Sequence, residues 1–98
     1  MKAKVLVLIC SLLLVFSLVA TGKTKEVTLT VWESTGGPDE FIKQAGAAYT
    51  KLYPHIKIEY VNVELGDSSS QIALDGPAGV GPDLFAAPHD KLGELVTG

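Results

Sequence analysis

The sequence predicts an α/β domain with a mainly parallel sheet and flanking helices. Three observations predict it. Short runs with the period or apolarity of strands occur at Val27–Trp32, Ile56–Val63 and Pro82–Ala87. The segments between and after them carry helical spacing or helix-entry residues. The resulting order is strand, helix, strand, helix, strand, helix. That order suits a parallel sheet whose right-handed crossovers place helices on both faces.

Ahead of these elements lies a leader. Lys2 and Lys4 precede sixteen uncharged, mostly apolar residues from Val5 to Ala20, and small residues follow at Ala20-Thr21-Gly22. That is the layout of a secretory signal peptide, with cleavage expected near Ala20. The run is shorter than the roughly 20 residues of a spanning helix; a retained membrane anchor is the alternative. Leu18-Val19-Ala20-Thr21-Gly22 resembles a lipoprotein cleavage box, but Thr21 stands where a cysteine is needed. Cys10 is no substitute, because bulky Ile9 precedes it. An exported, unlipidated protein is expected, with residues 21–26 as a polar tether and residues 27–98 as the folded part.

Val27-Thr28-Leu29-Thr30-Val31-Trp32 alternates apolar with polar and is rich in β-branched residues, so it reads as the first strand. Ser34-Thr35-Gly36-Gly37-Pro38 breaks it. Pro38 suits the first turn of a helix, and Asp39 and Glu40 favour the positive end of its dipole. Phe41, Ala45, Ala48, Tyr49 and Leu52 recur at spacings of three and four, one face of an amphipathic helix that Pro54 stops. Ile56, Ile58 and Tyr60 then alternate with His55, Lys57 and Glu59 as the second strand. Asp67-Ser68-Ser69-Ser70 can cap a short helix through about Leu74. Residues 75–82 are loop, residues 82–87 a short buried strand, and Asp90 to Val96 one or two further helical turns.

Without the leader the chain keeps six lysines, no arginine and eleven acidic residues, a net charge of −5. Nucleic acid is therefore excluded as a partner, since phosphate recognition needs basic clusters. The single cysteine, Cys10, lies in the leader, so no disulfide supports the small core. His55 and His89 stand alone, without metal-ligand spacing, and no metal or other cofactor is expected. No serine sits in a nucleophile elbow, and no carboxylate pair is spaced for glycoside hydrolysis. The glycine-rich stretch Gly76–Pro82 lacks the lysine-serine end of a phosphate loop and precedes a strand. No enzyme is read here.

Ligands of parallel sheets bind at the carboxyl ends of the strands. Two polar loops are expected there. Glu33, Ser34, Thr35 and Gly36 offer a carboxylate, two hydroxyls and an approachable backbone, or else form an ordinary turn. Asp90 and Lys91 offer an acceptor and a donor, although Asp90 could equally cap the next helix. Trp32 could stack on a sugar face or fill the core.

At these residues the chain resembles the family 1 extracellular solute-binding proteins. Val27–Trp32, the amphipathic helix and Ile56-Lys57-Ile58-Glu59 resemble the start of that superfamily. Leu74 to Leu95, with Gly81-Pro82-Asp83 entering a strand and His89-Asp90-Lys91 following it, is similar to the maltose and maltodextrin-binding branch of bacterial ABC importers. The resemblance implies a two-lobed type II periplasmic binding protein, of which this chain is part of the N-terminal lobe. It implies maltose or maltodextrin as ligand, ABC permease subunits as partners, a monomer, and a place in the periplasm or on the outer face of the cytoplasmic membrane. It implies sugar contacts from Glu33, Ser34, Thr35, Gly36, Asp90 and Lys91. Some members carry tryptophan two residues before the histidine; Ala87 stands there, so stacking from that position is lost. The chain ends at Val96-Thr97-Gly98 without a terminal element, as expected of an incomplete lobe. A small self-contained secreted or membrane-tethered interaction domain is the alternative.

Overall fold

A computed structural model describes residues 2–5 and 22–98. Most of the expected leader, including its cleavage region, lies outside the described residues. Strand β1 spans Val27–Glu33, helix α1 Pro38–Leu52, strand β2 Ile56–Asn62, helix α2 Ser68–Asp75 and strand β3 Leu84–Phe85. A 3-10 turn, His89–Lys91, leads into helix α3, Leu92–Thr97. The three strands form one sheet in the order β2-β1-β3, and both pairings are parallel. This is the expected α/β architecture.

β1 is the central strand. Its full length pairs with β2, from Val27 opposite Ile56 to Glu33 opposite Asn62. Val31 and Trp32 point to opposite faces, yet both are buried, at 6% and 5% exposure. A central parallel strand covered on both sides requires this. Trp32 is therefore a core residue, and the stacking alternative falls away.

On its other edge β1 meets β3 at two residues, Val31 opposite Leu84 and Trp32 opposite Phe85. The expected strand over residues 82–87 is shorter than its apolar run suggested, and Leu84 is exposed. Asp83 explains the late start. Its carboxylate accepts the Thr30 N–H at 2.8 Å, and its own N–H donates to the Thr30 carbonyl at 2.9 Å. One residue, using side chain and backbone together, thus occupies both polar groups of Thr30, beside Pro82, which has no N–H to give.

Helix α1 begins as the sequence implied, with Pro38 in its first turn and the Asp39 carboxylate accepting the Gly37 N–H at 3.0 Å. Its rotation corrects the expectation. The apolar face Phe41, Ala45, Ala48, Tyr49 and Leu52 is exposed, Phe41 at 69% and Leu52 at 75%. The half-buried face is Asp39, Ile42, Gly46 and Thr50. Gly46 sets this choice. A Cβ built on it would sit 2.9 Å from the Ile58 Cβ, so the helix lies closer to β2 there than any side chain permits. Thr50 fastens the far end, its hydroxyl donating to the Ile56 carbonyl at 2.9 Å.

Helix α2 starts after Asp67, which holds the N-cap position as expected but makes no side-chain cap bond. The Ser68 hydroxyl instead donates to the Leu65 carbonyl at 3.0 Å, and Ser68 and Ser69 are buried.

Gly46→Ala should destabilise the fold. Alanine gains about 1 kcal/mol of helix propensity, but forcing a methyl against a rigid β-branched carbon costs about 1–3 kcal/mol. A net loss of about 1 kcal/mol in urea unfolding is expected. Asp83→Ala, which strips Thr30 of its acceptor in a partly solvated place, should cost about 1 kcal/mol in the same assay, with Asp83→Asn recovering part of it.

Candidate functional site

Because all three strands run parallel, the loops that follow them leave from one edge of the sheet. These loops, with Glu33 at the end of β1, hold the six residues expected to contact a ligand, plus one group the sequence did not single out.

The loop after β1 turns on two glycines in the left-handed region, Gly36 at φ 83° and Gly37 at φ 138°, conformations that residues with a Cβ rarely adopt. The turn presents Glu33 and Ser34 half-buried and Thr35 exposed. Each is held. The Glu33 Oε1 accepts the Ser34 N–H at 2.8 Å. The Ser34 Oγ accepts the Leu65 N–H at 2.8 Å, and the Glu33 carbonyl accepts the Val63 N–H at 3.3 Å.

The group missed by sequence reasoning is Glu64, in the loop after β2. Its Oε1 accepts both the Thr35 N–H at 3.3 Å and the Thr35 hydroxyl at 3.0 Å. The first two loops are therefore clasped by bonds from Glu33, Ser34 and Thr35 to Val63, Leu65 and Glu64. The Thr35 N–H, followed by its hydroxyl, holds the Glu64 carboxyl below its ordinary value against a desolvation push upward. The Ser34 hydroxyl and the Asn62 side chain act in the same direction. Asp39 is also held low, mainly by the Gly37 N–H. A signal for Glu64 existed: it is a carboxylate just beyond the second strand, at the same edge as the other two loops.

Asp90 and Lys91 lie in the 3-10 turn that follows β3, both exposed. Asp90 sits inside the turn, while Pro88 and Lys91 occupy the capping positions without side-chain bonds, so the helix-cap alternative for Asp90 is corrected. The Lys91 ammonium pairs with the Glu94 carboxylate at 3.3 Å. The turn stands at the same edge of the sheet as the clasp because the Ala86 N–H still donates to the Trp32 carbonyl, at 3.3 Å, where β1 ends.

Chemically the edge offers carboxylates, hydroxyls and one ammonium. Among the described residues no group of three His, Cys, Asp or Glu side chains could hold a metal ion. Such a surface can make hydrogen bonds to a polar ligand.

In the folded state, Glu64 and Asp39 both have lowered pKa values. Their contributions are therefore full above the ordinary carboxylate values and disappear as pH falls through the lowered ones. Carbon-13 carboxyl titration should place both midpoints below those of free side chains.

Comparison with known proteins gives the geometry a context. The chain is 35% identical over 78 residues to the galactooligosaccharide-binding protein of Bacillus subtilis, covering 80% of this chain and 18% of that protein. A cyclo/maltodextrin-binding protein solved with maltotetraose matches at 39% identity and TM-score 0.69, over 79% of this chain and 20% of its own. The extracellular solute-binding protein of Staphylococcus aureus, solved with maltose, matches at 37% identity and TM-score 0.69, over 76% and 20%. The chain spans about a fifth of the length of these relatives. Residues 32–98 match the family model for bacterial extracellular solute-binding proteins, and the chain belongs to that family.

Proposed function

We propose that this chain supplies one wall of an oligosaccharide-binding cleft in an extracytoplasmic protein that serves a bacterial ABC importer, with maltose or maltodextrin as cargo. The observation that carries this reading is the joint match in fold and sequence to proteins solved with maltotetraose and with maltose. The polar edge at the ends of β1, β2 and β3 supports it, since sugar hydroxyls need acceptors and donors in that setting.

In this reading Glu33, Ser34, Thr35 and Gly36 meet the ligand from the first loop, and Asp90 and Lys91 from the third. The protein binds and releases its ligand without breaking a bond, and closing a second lobe over the sugar shifts the population to a form that docks on the permease. The leader exports the chain, and an unlipidated monomer acts outside the cytoplasm. Because the chain spans about a fifth of its relatives, residues 21–98 alone should bind sugar weakly or not at all.

The galactooligosaccharide-binding relative favours a second reading, in which galactosyl oligomers are the cargo. Calorimetry with maltotriose and with galactotriose separates the two. Tighter maltotriose binding is expected in the whole protein that contains this segment. Asp90→Ala should weaken it by about 1–3 kcal/mol, the loss of an acceptor for a buried hydroxyl. Preference for galactotriose would replace the maltodextrin assignment, and indifference to both would remove the carbohydrate reading.

A further inference from the structure

We infer that Glu64 is a positioning residue that sets the hydrogen-bond polarity of the site, by turning the Thr35 hydroxyl proton inward so that the first loop meets its ligand with acceptors. This rests on the carbohydrate reading and deepens it.

A threonine hydroxyl has one proton to donate and two lone pairs. The Thr35 proton is taken by the Glu64 Oε1 at 3.0 Å, and the backbone N–H of Thr35 points to the same oxygen at 3.3 Å. A ligand approaching Thr35 therefore finds lone pairs. Ser34 is drawn into the clasp as well: its oxygen accepts the Leu65 N–H at 2.8 Å. In Glu33, Oε1 is occupied by the Ser34 N–H, and Oε2 is an acceptor in any arrangement. Across the edge Asp90 is a further exposed carboxylate, and the ammonium of Lys91 is shared with Glu94.

The polarity of this wall is thus one-sided. Glu33, Thr35 and Asp90 accept, and the principal donor is partly neutralised. The matching ligand is an uncharged sugar whose neighbouring hydroxyls donate. A phosphorylated sugar or a uronic acid brings negative charge against Glu33 and Asp90 and is disfavoured. Glu64 acts through Thr35, 29 residues away in sequence, and fixes this polarity before any ligand arrives.

The test has two arms on the whole protein. In sugar-free protein, proton NMR should show a Thr35 hydroxyl protected from exchange and close in space to Glu64. Glu64→Gln, which keeps an acceptor oxygen, should retain the protection in part, and Glu64→Ala should lose it. In the second arm, maltotriose is compared with its mono-fluorodeoxy analogues, in which fluorine accepts weakly and cannot donate. For the analogue altered opposite Thr35, wild type should lose about tenfold in affinity, the worth of one net hydrogen bond. In Glu64→Ala the freed Thr35 proton can turn outward, so that penalty should fall to threefold or less, a change that a merely structural tie would not produce. If Glu64→Ala fails to fold, Glu64→Gln, with an intermediate penalty, serves in its place. An unprotected hydroxyl with maltotriose binding intact overturns the positioning role and leaves the carbohydrate reading standing. Equal analogue penalties in wild type and variant also overturn it. A protected hydroxyl without maltotriose binding removes the carbohydrate reading and this role with it, leaving a clasp that serves only the fold.

Discussion

The structure depends on β1 having both of its edges occupied. β2 covers one edge along the whole strand, and Asp83 with β3 covers the other at the carboxyl end. Unpaired backbone groups inside a protein carry a penalty comparable to a lost hydrogen bond, so this double pairing fixes where everything else can lie. It buries Val31 and Trp32 on opposite faces. It also brings three loops to one edge of the sheet, and each loop contributes polar side chains there.

The clasp between the first two loops follows from that arrangement. Val63, Glu64 and Leu65 leave β2 beside the residues that leave β1, since Glu33 and Asn62 are the last paired positions. The exchange of bonds across this gap orders a turn that two glycines with positive φ would otherwise leave free. Rigid placement of polar groups before a ligand binds lowers the ordering cost of binding. The loop is thus pre-organised by the same pairing that builds the sheet.

Much of the fold was legible because strands declare themselves by a period of two. The alternation in Val27–Trp32 and Ile56–Tyr60 located β1 and β2, and Pro38 and Pro54 bracketed α1. What failed to read through was the rotation of α1. An apolar stripe indicates the packed face when large side chains make the contact. Here the contact is a close approach at Gly46, and it turns Ile42 and Thr50 inward while Phe41 and Leu52 face outward. The length of β3 was hidden as well, because Asp83 uses its side chain in place of a strand bond. At the site, Glu33 to Gly36 stood out as a polar turn after a strand. Glu64 did not, since its meaning comes from a partner 29 residues earlier rather than from its own neighbours.

The strand pairings have a kinetic consequence. No two neighbouring strands are joined by a hairpin: β1 must find β2 across a whole helix, and the Thr30–Asp83 bond spans 53 residues. Such long-range closure is slow compared with helix formation. During that delay both edges of β1 stand open, so the segment is exposed to pairing with a neighbouring chain until β2 and Asp83 close them.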